Sequence, residues 1–315
     1  MPSAFFTGRT GAWLVPALSL AYLLTSYLLI GLRPEHWLLV VLVNGCYFLS
    51  DTTRRFITGF SIFALYWILY DYMRAFPNYA YRAVDIAPIY HAEQHLFGIR
   101  AGGQLLTPNE YWLRHHRPLL DVLCGLFYLC WIPIPLGFAA YLFFANRRLF
   151  LAFALTFLLV NILGFSLYYL HPAAPPWYVQ QHGLVFQRLT LGSTAGLARF
   201  DSFFGVSIFK GLYAKNANIF AAMPSLHSAY PVVVAYYAVK NRMGWFTLVF
   251  FTIMLGIWFA AIYTSHHYVL DVLAGIATAL IGIGIIRLLL AKSRWFNRFV
   301  NRFWQATAPR GSELS

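Results

Sequence analysis

Eight long apolar runs dominate this sequence. They cover roughly residues 11–31, 36–50, 57–76, 119–145, 149–170, 223–240, 245–265 and 268–290. A helix needs ~20 predominantly apolar residues to cross a bilayer, where it satisfies its own backbone hydrogen bonds. The pattern therefore predicts an all-α fold, a polytopic membrane helical bundle with about eight transmembrane helices. The second run is the shortest and could instead be re-entrant.

The charge content excludes an ordinary soluble protein. Only 10% of the 315 residues are charged, against about 25% in soluble domains. The net charge of +13 comes from residues between the apolar runs and in the tail, with no basic patch interleaved with polar sequence. A nucleic-acid partner is therefore not expected. The three cysteines lie in apolar runs, without disulfide or metal-binding spacing.

The basic residues predict the orientation. One side of an eight-span arrangement carries Arg9, Arg54, Arg55, Arg147, Arg148, Lys240, Arg242 and the basic residues from Arg287 onward. The other side carries Arg33 and two long loops, 77–118 and 171–222. Because short cytoplasmic connections are enriched in Lys and Arg, the loops should be non-cytoplasmic. The short connections favour a bacterial inner membrane over a Golgi membrane. In the first loop, Ile89, Leu96 and Phe97 fit a helix lying in the interface.

Two short segments at the starts of apolar runs combine histidine with a helix start. The first is Met-Pro-Ser-Leu-His, with Pro224 and His227, and the second is Ser-His-His-Tyr-Val-Leu-Asp, with His267 and Asp271. Proline suits the first turn of a helix. Residues four apart share one face of a helix, so Asp271 could hold one ring nitrogen of His267. Ionisable residues at the edge of a membrane span are costly, which indicates a functional site.

These segments predict a covalent phosphoryl transfer. His267 attacks phosphorus and forms a phosphohistidine, while His227 protonates the leaving alkoxide and then deprotonates the acceptor hydroxyl. Two helix N-termini offer N–H groups to phosphate oxygens, and Ser225 offers a hydroxyl. One alternative is that the histidines only satisfy the interior of the bundle. The other is a metal site built from His266, His267, Asp271 and His227, but no metal-binding motif is present and no cofactor is expected.

The same residues carry a family resemblance. Pro224-Ser225-Leu226-His227 resembles the second signature, usually P-S-G-H, of the type 2 phosphatidic acid phosphatase superfamily, and the run from His267 to Gly275 resembles the third. Pro172–Tyr178 and Gly196–Arg199 add similarity to the inositol phosphorylceramide synthase branch (the aureobasidin-resistance protein). The resemblance implies a six-helix catalytic core preceded by two additional helices. The predicted domains are thus residues 1–56, two N-terminal transmembrane helices; 57–290, the catalytic core with both loops; and 291–315, a basic amphipathic cytoplasmic tail.

Two departures from the superfamily pattern bear on the substrate. In the phosphatases an arginine precedes the third-signature histidine by six residues, where this chain has Ala261. The first signature, which contains Lys and Arg, should fall at 164–172, where neither occurs. A phosphodiester carries a single charge and needs less neutralisation than a phosphomonoester dianion, so the departures favour a diester donor. Candidate replacement cations are Arg199, Lys210 and Lys215, and His171 is a further substrate-binding candidate.

The leading functional hypothesis is an integral-membrane phosphotransferase. A phospholipid donor, such as phosphatidylinositol, would give its phospho-head group to a lipid-alcohol acceptor such as ceramide. The alternative enzyme is a lipid phosphatase with the same His-His-Asp residues and water as acceptor. A transporter with proton-relaying histidines is a different class, but the ionisable residues cluster at one membrane face and no inverted repeat is visible. Membrane lipids are the expected partners, and the oligomeric state is left open.

Overall fold

The structure, a computed structural model, describes residues 9–215 and 218–308 and is almost entirely helical. Its helices are α1 (Arg9–Ile30), α2 (Pro34–Leu49), α3 (Asp51–Tyr72), α4 (Ala87–Phe97), α5 (Pro108–Arg114), α6 (Pro118–Leu129), α7 (Pro133–Ala145), α8 (Arg147–Leu170), α9 (Pro176–His182), α10 (Ala198–Phe204), α11 (Ile208–Tyr213), α12 (Leu226–Lys240), α13 (Phe246–Tyr263), α14 (Val269–Lys292) and α15 (Arg294–Thr307). The all-α, polytopic membrane bundle is confirmed.

All eight predicted spans are helical, but they differ in length. Five described helices, α1, α3, α8, α13 and α14, are long and apolar enough to cross a membrane. The pair α6 and α7 would make a sixth span, bent by 40°. Helices α2 and α12 have 16 and 15 residues, short of the ~20 that a bilayer requires. A membrane crossing by these two helices stays a prediction.

The break between α6 and α7 follows from proline. Pro133 starts α7 and has no backbone N–H, so the preceding helix cannot continue through it. The short connection between the two helices contains Trp131. The Trp131 ring lies 4.3 Å from the ring of His227.

The chain divides into two compact units. The first comprises the described residues up to Ala75, residues 139–158 and the described residues from Gly284 onward. It contains α1–α3 and a set of stacked phenylalanines against Gly59, where a Cβ would come within 2.9 Å of the Phe143 ring. Helix α15 packs against α3. The predicted tail is thus helical over 294–307, and residues 309–315 lie outside the described part.

The second unit comprises residues 76–138 and the described residues of 159–283. It contains most of both predicted long loops, which are structured. A hairpin, β1 (Ile99–Ala101) and β2 (Gln104–Leu106), follows α4, and its two-residue turn is Gly102-Gly103 with positive φ at both residues. The boundaries of the two units do not coincide with the predicted domain boundaries at residues 56 and 290. The predicted domains stay predictions.

The helix predicted in the first loop is present as α4, with a different buried face, and its location in the membrane interface stays a prediction. Ile89 and Glu93 are buried, whereas the Leu96 side chain is 60% exposed. Ile89 and Glu93 are four residues apart and lie on the same, inward-facing side of the helix, so an acidic residue occupies the buried face. A buried carboxylate needs hydrogen-bond partners, and those of Glu93 lie in the functional site.

Candidate active site

Two histidine rings meet at the centre of the site. Nδ1 of His227 lies 3.0 Å from Nε2 of His267, and the ring centroids are 5.2 Å apart. His227 comes from the first turn of α12, and His267 lies two residues before α14. The two sequence segments are therefore brought into direct contact, as predicted.

The other ring nitrogen of His267 is held by two acceptors. Nδ1 lies 3.0 Å from the carbonyl oxygen of Ala222 and 3.5 Å from Oδ2 of Asp271. Because Nδ1 faces acceptors only, it carries the proton and donates it, which leaves a lone pair on Nε2. The single proton between the two rings then belongs to Nδ1 of His227.

The helical reasoning about His267 and Asp271 was wrong in one respect. His267 is not on the helix, because α14 begins at Val269. Asp271 nevertheless reaches back, since its Oδ2 accepts a 2.8 Å hydrogen bond from the backbone N–H of Tyr268. This bond is one half of a capping box. The carboxylate is fully buried, and the closer partner of the ring is the Ala222 carbonyl.

Pairing between the two long loops positions the Ala222 carbonyl. Isolated bridges join Asp85 to Ala173 and Ala173 to Ala221, all in parallel register. The backbone N–H of Ala222 donates to the carbonyl of Ala173 at 3.3 Å. Nearby, the side chain of Asn78 donates to the carbonyl of Phe220 at 2.8 Å. Backbone hydrogen bonds thus fix the acceptor that orients His267.

The start of α12 is locked against α14. Ser225 is the N-cap of α12, and its Oγ accepts from the N–H of Ser228 at 3.3 Å and from the Ser228 hydroxyl at 3.0 Å. The N–H of Ser225 donates to the carbonyl of Asp271 at 2.9 Å. Gly275 permits this approach, because a Cβ there would lie 2.1 Å from the Ser225 carbonyl oxygen. Pro224 precedes the N-cap, so its predicted place in the first turn was wrong.

The two helix N-termini are not equivalent. The N–H groups of Val269 and Leu270 at the start of α14 donate to the two carboxylate oxygens of Glu93, at 2.8 Å and 3.1 Å. They are therefore not free for phosphate, contrary to the prediction. At the start of α12, the N–H groups of Leu226 and His227 have no intrahelical acceptor. The positive end of α12 is the one that remains for an anion.

Glu93 is a fully buried carboxylate. Burial raises its pKa to about 7, the Asp271 carboxylate adds to the rise, and the two N–H donors from α14 oppose it. Asn109 provides a second support from the same loop, because its Nδ2 donates to the carbonyls of Ile262 and His267 at 2.8 Å and 2.9 Å. Helices α4 and α5 thus hold the backbone on both sides of His267.

Aromatic rings line the histidine pair. The Trp131 ring meets the His227 ring edge-on with centroids 4.3 Å apart, and the Tyr128 ring lies 5.1 Å from it. Tyr128 also lies 5.3 Å from the His266 ring, and Tyr213 lies 4.5 Å from it. Burial lowers the pKa of His266 to about 3, with a further contribution from His267. His266 is therefore neutral at neutral pH.

The predicted cations lie at different depths. Arg199 is half-buried, its Nε pairs with Asp121 at 2.5 Å, and its guanidinium lies over the Tyr263 ring. Its buried Nη2 has no hydrogen-bond partner among the described residues. The side chains of Lys210 and Lys215 are exposed. Phosphate binding by either lysine stays a prediction.

His171 is paired with a carboxylate. Its Nε2 lies 3.1 Å from Oδ2 of Asp85, the residue whose backbone joins the loop ladder, and its side chain is half exposed. This contact supports a role in holding the two loops together. Substrate binding by His171 stays a prediction.

The metal alternative finds no support in geometry. Within residues 9–215 and 218–308, no group of three or more His, Cys, Asp or Glu side chains is arranged to hold a metal ion. In the His227–His267 contact, Nδ1 of His227 and Nε2 of His267 face each other. These two nitrogens are therefore paired with each other and do not point at a shared metal position.

Four residues of this site were missed by sequence reasoning: Glu93, Asn109, Tyr128 and Trp131. Glu93 could have been found, because the chain has only 10 acidic residues and one inside a predicted interfacial helix needs a partner. Trp131 lies beside the prolines that interrupt the fourth apolar run. Asn109 and Tyr128 have no local signal, because their partners are distant in sequence.

The chain is similar to known proteins over most of its length. The PAP2 superfamily model matches residues 99–285, which include both histidines and Asp271. The phosphoinositol dihydroceramide synthase of Bacteroides thetaiotaomicron is 46% identical over 286 residues, 90% of this chain and 94% of that protein. The inositol phosphorylceramide synthase of Candida albicans is 28% identical over 238 residues, 73% of this chain and 48% of that protein. No solved structure matches.

Proposed function

Because the chain belongs to the PAP2 superfamily, we propose that it transfers a phosphorylated head group from one membrane lipid to another. The observation that carries this proposal is the contact between Nδ1 of His227 and Nε2 of His267. It joins a nucleophile with a free lone pair to a residue that can give and take a proton. Several helices that are long and apolar enough to span a membrane support an integral membrane protein.

The substrates follow from the relatives and from the charge of the site. The similar Bacteroides protein is a phosphoinositol dihydroceramide synthase, and the similar Candida protein is an inositol phosphorylceramide synthase. We infer a phosphatidylinositol-like donor and a ceramide or similar lipid alcohol as acceptor. Ala261 at the position of the phosphatase arginine supports a singly charged phosphodiester.

The first step forms a covalent intermediate. Nε2 of His267 attacks phosphorus, and the bond between phosphorus and the diacylglycerol oxygen breaks. His227 enters this step as the imidazolium and gives one proton to the departing alkoxide, so diacylglycerol leaves neutral and the His227 ring becomes neutral. The Ala222 carbonyl and Asp271 stabilise the charge that develops on the His267 ring. The phospho-head group remains on His267 as a phosphohistidine.

The second step reverses the proton transfer. His227 takes the proton of the acceptor hydroxyl, the hydroxyl oxygen attacks phosphorus, and the bond between Nε2 of His267 and phosphorus breaks. The N–H groups of Leu226 and His227 at the start of α12 would bind the phosphate oxygens. Arg199 would add positive charge through its unpaired Nη2, and the Ser225 hydroxyl would donate from the same turn. This sequence of steps uses no metal ion.

Transfer is distinguished from hydrolysis by the acceptor. Purified full-length protein should be incubated with phosphatidylinositol labelled with tritium in the inositol ring, with and without ceramide. We expect a labelled ceramide product that appears only with ceramide and in the same amount as diacylglycerol. Release of labelled inositol phosphate that ceramide does not suppress would establish the phosphatase alternative. A labelled product that formed equally without added lipid alcohol would contradict the proposed acceptor.

We propose that the site faces the non-cytoplasmic side of the membrane, in the bacterial case the outer side of the inner membrane. The supporting residues are basic and lie at helix ends: Arg54 and Arg55 near the start of α3, Arg147 and Arg148 at the start of α8, and Lys240 and Arg242 around the end of α12. They would lie on the cytoplasmic side, where Lys and Arg are enriched. Loops 77–118 and 171–222 would then cover the site and keep water from the phosphohistidine.

This orientation predicts a labelling pattern. Single cysteines at Gln181 and Asn241, on a background without Cys46, Cys124 and Cys130, should differ in reactivity toward a membrane-impermeant thiol reagent. In cells with a permeabilised outer membrane, position 181 should react and position 241 should react only after the inner membrane is broken. The reverse pattern would place the active site in the cytoplasm.

A further inference from the structure

The second long loop contains two short helices with apolar outer faces. Helices α10 and α11 are joined by residues 205–207, and we call residues 198–213 the α10–α11 segment. No charged residue lies between Phe203 and Phe209. Five large apolar side chains of the segment are between 38% and 60% exposed: Phe203, Phe204, Val206, Ile208 and Leu212. A contiguous apolar patch of this kind marks a surface that contacts a partner or a membrane.

The inner side of the α10–α11 segment belongs to the core of the second unit. Phe200 from α10 and Phe209 from α11 are buried in one cluster with Tyr128 of α6 and Ala260 of α13. Phe200 packs so closely on α6 that a Cβ added to Gly125 would collide with its ring. The segment is therefore packed against α6 and α13 rather than lying above their ends.

The depth of these contacts follows from the length of α13. This helix has 18 residues, about 27 Å at 1.5 Å per residue, which matches the ~30 Å hydrocarbon core of a bilayer. Ala260 lies in its last turn. Gly125 lies two turns into α6, about 10 Å from the start of that helix. The segment thus packs at the edge of the hydrocarbon region, where interfacial helices bury their apolar faces ~5–10 Å deep.

The apolar patch continues an exposed apolar stripe of α6. Leu119, Leu123 and Leu126 are exposed, and their spacing places them on one side of the helix. Helices α6 and α7 together are long and apolar enough to cross a membrane, so this stripe should face lipid chains. Because α10 packs on Gly125, beside Leu126, the lipid that covers the stripe also reaches α10.

The polar groups of the segment suit this position. The buried carboxylate of Asp201 accepts hydrogen bonds from the N–H groups of Phe209 and Lys210, at 3.2 Å and 2.9 Å. The N–H of Val206 donates to the carbonyl of Asp201 at 2.9 Å. These bonds satisfy backbone donors that lipid chains could not satisfy. Lys210 is exposed, and its long side chain lets the ammonium group reach the head-group layer.

We propose that the α10–α11 segment inserts into the membrane leaflet beside the active site, with Phe203, Phe204 and Ile208 among the lipid chains. At the end of the segment, the Tyr213 ring lies 4.5 Å from the His266 ring. The segment therefore links the lipid layer directly to the histidine site. The inserted side chains take no part in the proposed reaction, so the insertion stands or fails independently of the transferase activity.

Fluorescence quenching in nanodiscs tests this insertion. The full-length protein without its three native cysteines carries a single new cysteine, from Phe203→Cys or Ile208→Cys, labelled with the environment-sensitive dye NBD. Leu123→Cys on the exposed stripe of α6 is the matched lipid-facing position. Gln181→Cys, at an exposed position of α9 in the same loop, is the matched water-facing position. Quenching is measured with phosphatidylcholine that has brominated acyl chains and, separately, with iodide in the water.

We expect the brominated chains to quench the dye at positions 203 and 208 to a similar extent as at position 123, with protection from iodide. The dye at position 181 should show the reverse. Quenching by iodide without quenching by brominated lipid would place the segment in water. Protection from both quenchers would show that protein covers the patch, for example a second copy of this chain. Either result, at either position, would overturn the proposal. If one cysteine variant does not fold, the other decides.

Discussion

Replacing His267 with alanine should abolish lipid turnover. Nε2 of His267 is the nitrogen that carries the free lone pair toward His227. The proposed mechanism assigns His227 to proton transfer, so the alanine variant lacks its nucleophile. We expect a loss of roughly 10⁴-fold or more, as in other enzymes that lose a covalent nucleophile. Turnover is measured as transfer of labelled inositol phosphate to ceramide by the purified variant.

The matched control is His115→Ala, which removes an exposed histidine that stacks on Tyr111. This variant should keep wild-type turnover and verify that the assay reports on the site. A phospholipid donor labelled with ³²P should leave an acid-labile label on the wild-type protein and none on His267→Ala. A labelled His267→Ala protein, or one with near-normal turnover, would exclude the covalent mechanism.

Replacing Glu93 with glutamine should lower turnover about 10- to 100-fold. The glutamine oxygen can accept only one of the two N–H groups of Val269 and Leu270 that the carboxylate accepts. The other N–H would be buried without a partner, at a cost of ~1–3 kcal/mol. The start of α14 would shift and move Asp271 and His267 from their positions. Turnover is compared with that of His95→Gln, an exposed position on the same helix.

The effect of Glu93→Gln should depend on pH. Because burial raises the pKa of Glu93 to about 7, the wild-type carboxylate that holds α14 is present above about pH 7 and is lost as the pH falls through it. Asp271 and Tyr268 from the start of α14 interact electrostatically with Glu93. Glu110 from α5 and Tyr90 from α4 act on Tyr268. The activity ratio of wild type to Glu93→Gln should therefore be largest near about pH 8 and shrink toward about pH 6.

Stability should respond in the opposite direction. A raised carboxyl pKa means that the folded protein binds the proton more tightly than the unfolded chain does. The contribution of Glu93 to stability is therefore full below its ordinary pKa of 4.5 and is lost as the pH rises toward about 7. Thermal unfolding of the wild type should show this trend, and Glu93→Gln should remove it. If the activity ratio of wild type to Glu93→Gln did not change with pH, the charge of Glu93 would not matter for turnover. Glu93 would then have a purely structural role.

The membrane fold followed from local sequence, and so did the prediction of the reacting residues. Apolar runs long enough to span a bilayer leave few alternatives to helices, since an exposed strand edge cannot survive in lipid. The two short segments around His227 and His267 could be read without knowing their partners. The family resemblance then brought the segments together, and the 3.0 Å contact between the rings agrees with it.

The details that orient the reaction were decided by tertiary structure. The nearest acceptor of Nδ1 of His267 is the carbonyl of Ala222, 45 residues away, and every residue type has such a carbonyl. Glu93 caps α14 from 176 residues away and takes the N–H groups that a helix start would otherwise offer to phosphate. The packing of α10 on α6 depends on the contact of Phe200 with Gly125. Apolar patterning specifies which face is buried, whereas backbone acceptors, helix caps and the packing of loop helices depend on which residues the fold brings together.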